Sequence, residues 1–130
     1  MSNRKIGNTF EQEFCDLLSE KGFWVHNLAQ NAFGQPADVI AVKKKKAYLI
    51  DCKECSSNKF DLTRIEENQA LSMELWNACG NGEGWFAIKM QGKIIMVSYD
   101  VMKFCEGYKT LSFQKLWEYG APINLWLERK

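Results

Sequence analysis

The 130-residue sequence lacks an excess of charge of either sign, because 17 Lys and Arg side chains face 16 Asp and Glu and leave a net charge of +1. No field over the whole surface can therefore steer the chain onto nucleic acid or membrane, and any polyanion site must be a local patch. No apolar run approaches the roughly 20 residues that cross a bilayer. There is no internal repeat, low-complexity segment or linker, and the length predicts a single domain, residues 1–130.

The sequence also lacks an even number of cysteines and a secretory signal. Five cysteines are an odd number, and the N-terminus has no succession of charged, apolar and small residues. These features predict a cytoplasmic protein with free thiols. Cys52 and Cys55 form a C-x-x-C pair, which raises a redox or zinc site as an alternative. No second pair completes a zinc site, and the single histidine, His26, is interpreted as an ordinary strand residue.

The prediction of an active site starts from residues 47–53. It reads as an apolar strand that ends in a carboxylate, Asp51, followed two residues later by Lys53. Successive side chains on a strand point to opposite faces, so Asp51 and Lys53 project from the same side. A strand-end ion pair on the surface would explain the same two residues, and such a pair contributes little to stability.

A second carboxylate, Asp38, stands at the head of another apolar run, residues 39–42. Between the two runs lies the tetralysine, which we define as Lys43, Lys44, Lys45 and Lys46. If the runs pair as a hairpin around the tetralysine, Asp38 and Asp51 fall at the same end of the sheet. Two carboxylates and a lysine then converge on one point, as a hard divalent cation and a phosphate require.

The remaining elements follow from helical and strand periodicity with capping signals. Capping boxes at Thr9/Gln12 and Thr63/Glu66 predict where two helices begin. The predicted order is helix 9–21, strand 23–28, loop 29–36, the hairpin, polar loop 55–61, helix 63–78, strands 85–90 and 94–98, and helices 100–105 and 112–119. No element is predicted for residues 122–127. This order predicts an α/β fold, a mixed sheet flanked by helices.

These residues resemble the pattern of the PD-(D/E)XK nuclease superfamily, over roughly residues 4–100. Pro36-Ala37-Asp38 stands where that superfamily has Pro-Asp, and Asp51-Cys52-Lys53 stands at its D/E-x-K. Arg4-Lys5, Gly7 and Glu11-Gln12-Glu13 resemble archaeal-type Holliday-junction resolvases, and residues 60–69 resemble the bacterial and phage RecU-type enzymes. The resemblance implies a restriction-endonuclease-like fold. His26-Asn27-Leu28 departs from it, since the resolvases usually carry an arginine or serine cluster there.

The resemblance also implies a Mg²⁺ site, with Mn²⁺ able to take its place. Phosphodiester hydrolysis needs a metal that stabilises the charge of the transition state and activates a water. Asp38 and Asp51 are the expected ligands, with the Cys52 carbonyl as a possible third. Glu11 would bind a second metal or a metal-bound water. Periodicity places Glu11 and Glu13 equally about the apolar face of the first helix, and only the resemblance favours Glu11.

Two further side chains are assigned to the same site. Lys53 would orient or deprotonate the water, or neutralise the phosphate. Gln69 shares a helix face with Ile65 and Met73 and is expected to reach the site.

A basic patch is the predicted DNA contact, with a solvated hairpin turn as the alternative interpretation of the tetralysine. The residues predicted to bind DNA are Arg4, Lys5, Lys43, Lys44, Lys45, Lys46, Lys59 and Arg64. By resemblance the substrate is a four-way junction, and two symmetric nicks require a homodimer. Three alternatives stay open: a related nuclease for linear, flap or specific-sequence DNA, a non-catalytic DNA-binding module of the same fold, and a cysteine redox protein.

Overall fold

The computed structural model describes residues 3–28 and 37–130. The predicted loop 29–36, which includes Pro36, lies outside the described residues. The helices are α1 (Asn3–Glu20), α2 (Glu67–Trp76), α3 (Tyr99–Phe104), α4 (Phe113–Tyr119) and α5 (Ile123–Glu128). The strands are β1 (Trp24–Asn27), β2 (Val39–Lys43), β3 (Lys46–Cys55), β4 (Lys59–Asp61), β5 (Trp85–Met90), β6 (Lys93–Ser98), β7 (Thr110–Ser112) and β8 (Ala121–Pro122).

Six strands form one mixed sheet in the order β1-β2-β3-β5-β6-β8. Its central pair, β3 and β5, is parallel, whereas the other pairs are antiparallel. Parallel neighbours need a long crossover, and α2 lies within the segment that connects β3 to β5. The predicted α/β fold with a mixed sheet and flanking helices is therefore confirmed.

Helices cover both faces of this sheet and divide the core in two. On one face, α1 and α5 pack through Phe10, Phe14, Leu18 and Trp126. On the other, Met73 of α2, Met102 of α3 and Leu116 of α4 pack against Phe86 and Ile88 of β5. No helix among residues 3–28 and 37–130 has the length and apolar character needed to span a membrane.

The predicted start of the first helix is wrong. The helix begins at Asn3, so Thr9 lies inside it and not at its N-cap. The Gln12 amide donates instead to Asp16 Oδ1 at 2.9 Å, one turn further along the helix. Gly7 favours a later start in the sequence, but a glycine inside a helix costs only about 1 kcal/mol and does not by itself end it.

The predicted start of the second helix is also wrong, by one turn. Asp61 caps a short 3₁₀ turn, Leu62–Arg64, and α2 begins after Glu66, its N-cap. The chain before that turn is not all loop either, since Lys59–Asp61 forms β4 and pairs with β7. Residues 122–127, which carry no predicted element, contribute most of α5.

Candidate active site

Asp38 and Asp51 lie side by side in the β2–β3 hairpin. Val39 is opposite Ile50, and the Asp38 amide donates to the Ile50 carbonyl at 3.1 Å. The pairing continues to the turn, where Lys43 faces Lys46. Both aspartates are buried, with exposed fractions of 6% for Asp38 and 0% for Asp51. The predicted convergence of the two carboxylates at one end of the hairpin is confirmed.

The side chains of Asp51, Lys53 and Gln69 form a closed ring of polar contacts. Lys53 Nζ lies 3.2 Å from Asp51 Oδ2, and Gln69 Nε2 donates to Asp51 Oδ1 at 3.0 Å. Lys53 Nζ also donates to Gln69 Oε1 at 3.2 Å. Because Asp51 is fully buried, the alternative of a solvated surface ion pair is wrong. The predicted approach of Gln69 to the site is confirmed.

Asp38 is oriented by the backbone of β3. The Cys52 amide donates to Asp38 Oδ2 at 2.7 Å. A hydrogen bond from a backbone N–H to a carboxylate is charge-assisted and therefore stronger than a neutral one. The strand that carries Asp51 thus also fixes the second carboxylate.

The structure distinguishes Glu11 from Glu13. Glu13 Oε2 accepts a 2.7 Å ion pair from Lys89 on β5, whereas the Glu11 carboxyl hydrogen-bonds to Asp38 and feels the charge of Lys53. Burial, followed by the negative charge of Asp38, raises the pKa of Glu11 to about 7. Glu11 is therefore the α1 acid that faces the site.

The pKa of Asp51 is also raised, to about 8, and burial is the main cause. The neighbouring Asp38 charge adds to the rise, whereas Lys53 opposes it. Glu11, Asp38 and Asp51 thus bring three carboxyl groups against one ammonium group. A hard cation would relieve the repulsion among them.

A divalent metal fits this donor set. Among residues 3–28 and 37–130 no three His, Cys, Asp or Glu side chains are already grouped as a closed metal site. Mg²⁺ does not need such a cage, because it binds through one or two carboxylates and retains several waters. Asp51 Oδ2 is buried and receives no hydrogen bond among the described residues, and its contact is the ion pair with Lys53. A buried oxygen of this kind suits a metal ligand.

The two cysteines of the C-x-x-C pair lie on opposite faces of the sheet. Cys52 packs in the core beneath α1, whereas Cys55 belongs to the core on the opposite face of the sheet. Two thiols on opposite faces of a strand cannot form one disulfide or share one zinc ion. All five cysteines are free, and burial raises the pKa of the Cys52 thiol well above its usual range. The geometry thus contradicts the redox interpretation of the C-x-x-C pair.

Among the predicted DNA-binding residues whose side chains the structure describes, the tetralysine and the pair Lys59 and Arg64 lie on separate surfaces. The tetralysine occupies the β2–β3 turn, with Lys46 at the first position of β3. Lys59 and Arg64 follow the last residue of β3, so the strand separates them from the tetralysine by about 30 Å. Arg4 and Lys5 lie in the first turn of α1, and their side chains are outside the described residues.

Comparison with known proteins defines the family. The sequence profile of the archaeal Holliday junction resolvase (Hjc) family matches residues 1–114. The chain belongs to this family. The resemblance to archaeal-type resolvases of the PD-(D/E)XK superfamily, read from the residues, is therefore confirmed.

Individual members of the Hjc family show how far the likeness extends. The crossover junction endodeoxyribonuclease Hjc of Methanocaldococcus jannaschii is 27% identical over 92 residues, which are 71% of this chain and 65% of that protein. The chain therefore matches slightly less than two thirds of that relative. Hjc of Archaeoglobus fulgidus, described as a Holliday junction resolvase from an archaeal hyperthermophile, superposes with a TM-score of 0.73. That superposition covers 93% of this chain and 99% of the other at 15% identity, which shows the shared fold.

Proposed function

We propose that this Hjc-family chain is a Mg²⁺-dependent endonuclease that cuts DNA at four-way junctions. The observation that carries the proposal is the buried Asp51 carboxylate, contacted by Lys53 and Gln69 beside Asp38 and Glu11. A non-catalytic DNA-binding module has no need for a buried charge cluster that raises the pKa of its own carboxylates. Family membership favours a junction over linear or flap DNA.

Each residue has a distinct task in this proposal. Asp38, Asp51 and the Cys52 carbonyl bind the metal, and Glu11 binds a second metal or a metal-bound water. Bound Mg²⁺ supplies charge stabilisation to the phosphate in the transition state, and Mn²⁺ would serve in its place. Gln69 positions Asp51 and Lys53 through one hydrogen bond to each.

Lys53 acts on the reacting groups. In hydrolysis a water oxygen forms a bond to phosphorus, the bond to one sugar oxygen breaks, and that sugar oxygen takes up a proton. The Lys53 ammonium group orients the attacking water or neutralises the phosphate oxygens. Its side chain is 12% exposed, so Nζ lies near the point where a phosphate could enter from solvent.

The proposed enzyme works in the cytoplasm as a homodimer, because two symmetric nicks need two active sites. An exposed aromatic surface could join the protomers: Phe104 is 75% exposed, and its ring lies 6.4 Å from that of Tyr119, which also contacts Tyr108. Phe104→Ser should shift the mass measured by light scattering towards the monomer, whereas Trp24→Ser, at the sheet edge, should not. A monomeric parent protein would contradict this arrangement.

The decisive experiment compares a four-way junction with linear duplex and flap DNA of the same sequence. With Mg²⁺ the parent protein should cut the junction in preference to the other two, and Asp51→Asn should cut none. Equal cutting of all three would favour the general nuclease. Binding without cutting by the parent would favour the non-catalytic module.

A further inference from the structure

A second cleft lies at the end of the sheet where the tetralysine turn meets the loop between α2 and β5. It encloses about 410 Å³, enough for a small ligand. We call it the Trp85 cleft. The lining residues that matter here are Lys45, Lys46, Tyr48, Asn81, Trp85 and Lys130. Sequence reasoning did not find this cleft, because it combines the middle of the chain with its last residue.

Aromatic rings build one wall of the Trp85 cleft. Lys130 Nζ lies 5.3 Å from the ring centroids of Tyr48 and Trp85 and 5.2 Å from that of Trp126. Trp126 also meets Tyr48 and Trp85 edge-on, at 5.4 and 5.7 Å. These contacts fix the rings in place before any ligand binds, and flat aromatic faces of this kind accept a stacked base.

Lysines outnumber acids in the lining of the cleft. Lys45, Lys46 and Lys130 all line it, and none pairs with a carboxylate of the residues that the structure describes. Burial lowers the pKa of Lys130, and the nearby charges of Lys46 and Arg129 lower it further. The one acid in the lining, Glu83, interacts with Asp100 and Ser98. Three lysines against this one acid leave an excess of positive charge that favours an anion.

The backbone conformation of the tetralysine turn also supports an anion site. Lys44 and Lys45 have φ angles of 52° and 69°, in the left-handed region that a two-residue hairpin turn requires. Asn and Gly adopt this region readily, whereas the backbone of a lysine is strained there. The chain keeps lysines at both of these positions, and one of them, Lys45, lines the cleft.

We propose that the Trp85 cleft binds one nucleotide of an unpaired DNA strand, with its base stacked on Trp85 and its phosphate bound by Lys45, Lys46 and Lys130. Lys130 Nζ now lies over the ring faces on which a base would stack. When the base binds, the Lys130 ammonium group moves off the rings and meets the phosphate.

This inference rests on the proposed function in that DNA is the ligand, but it concerns a different site. Lys46 and Asp51 lie on the same strand about 17 Å apart, so one DNA strand could occupy both sites. Trp126 and Lys130 lie beyond residues 1–114, the part of the chain that the family profile matches. The cleft is therefore built partly by sequence that the family profile does not include.

The lysines are tested with hexathymidylate as the probe, in metal-free buffer so that nothing is cut. Lys45→Asn with Lys46→Ser should weaken binding about tenfold and lower the log–log salt slope by about 0.7 for each phosphate that is no longer neutralised. Asparagine is chosen at position 45 because it tolerates the left-handed conformation. The matched control is Lys93→Ser with Lys109→Asn, which removes two exposed lysines elsewhere and should change the affinity less than about twofold.

The stacking wall is tested with Trp85→Leu and Trp85→Phe, after near-ultraviolet circular dichroism has verified the fold. The Leu variant should bind hexathymidylate about tenfold more weakly, the Phe variant should recover part of the loss, and affinity for duplex of equal length should stay unchanged. The proposal would be overturned if the Leu variant lost affinity equally for hexathymidylate and for duplex. It would also be overturned if the Lys45/Lys46 double variant bound hexathymidylate as tightly as its control. Binding that depends on Trp85 in a protein that cuts no DNA would overturn the proposed nuclease function and leave this site standing.

Discussion

Gln69 links the start of α2 to the buried carboxylate of Asp51. Its Oε1 accepts the Glu66 amide of the helix N-cap at 3.1 Å, while its Nε2 donates to Asp51 Oδ1 at 3.0 Å. The side chain that completes the helix cap therefore also positions an active-site acid. A change at this residue must affect both the helix and the site.

Gln69→Ala should lower both stability and cleavage. It leaves Asp51 Oδ1 buried without its donor and the Glu66 amide without its acceptor, and an unmet buried group costs about 1–3 kcal/mol. Urea unfolding measures the loss, and a junction-cutting assay measures the activity. Gln114→Ala, an exposed site on α4, is the control and should change the free energy of unfolding by less than about 0.5 kcal/mol. A Gln69→Ala protein with parental stability would show that the two bonds contribute nothing.

Substitutions of Lys53 and of the two aspartates should affect metal binding and cutting differently. Asp38→Asn and Asp51→Asn remove a negative oxygen ligand and should weaken Mg²⁺ binding. Lys53→Ala should abolish cutting while metal affinity stays or rises, because a cation no longer repels the metal. Calorimetric titration with Mg²⁺ beside a cleavage assay measures both quantities. Cutting at the parental rate by Lys53→Ala would place the reaction elsewhere.

The tetralysine should contribute to duplex binding through charge alone. Lys43 is left in place because its Nζ donates to the Lys21 carbonyl at 2.9 Å and lies over the Phe23 ring. Changing Lys44 and Lys45 to Asn and Lys46 to Ser should weaken binding to every duplex sequence alike. The log–log salt slope should fall by about 0.9 for each duplex phosphate that the variant leaves unneutralised. An unchanged slope would make the turn a solvated surface without a part in binding.

The metal-free protein should lose stability as the pH rises. The folded-state pKa of Asp51, about 8, lies above its ordinary value of 3.8, so the folded protein retains a proton that the unfolded chain releases. This contribution is complete below about pH 4 and is lost by about pH 8, because over that window the unfolded state binds fewer protons. Thermal melting with a chelator measures the fall. Added Mg²⁺ should flatten it, since the metal binds the ionised carboxylates. If Asp51→Asn melts with the same pH slope as the parent, the slope comes from another group.

Local pairing makes much of the site predictable from sequence. Two apolar runs around a polar turn can pair in few ways, and the hairpin alone brings Asp38 and Asp51 together. The acid that α1 contributes to the site is harder to predict. Periodicity leaves Glu11 and Glu13 equivalent, and the choice depends on the long-range partners Asp38 and Lys89.

Features built from distant segments are beyond sequence reasoning. The Thr63/Glu66 capping box predicts a start of α2 one turn too early, whereas Glu66 is the N-cap in the structure and Gln69 contacts β3. The wall of the Trp85 cleft needs Trp126 and Lys130 to fold back onto Tyr48. No local pattern encodes such a contact, because it arises when α5 packs against the sheet.

The 2.7 Å bond from the Cys52 amide to Asp38 Oδ2 turns that amide into a spectroscopic reporter. A short bond to a charged acceptor deshields the amide proton, so its resonance should lie far downfield in a proton–nitrogen correlation spectrum. The proton should also exchange slowly with deuterium while the carboxylate stays in place. Any event that recruits Asp38, whether a metal ion or a bound strand, should move this one peak and give a residue-level binding curve for the site.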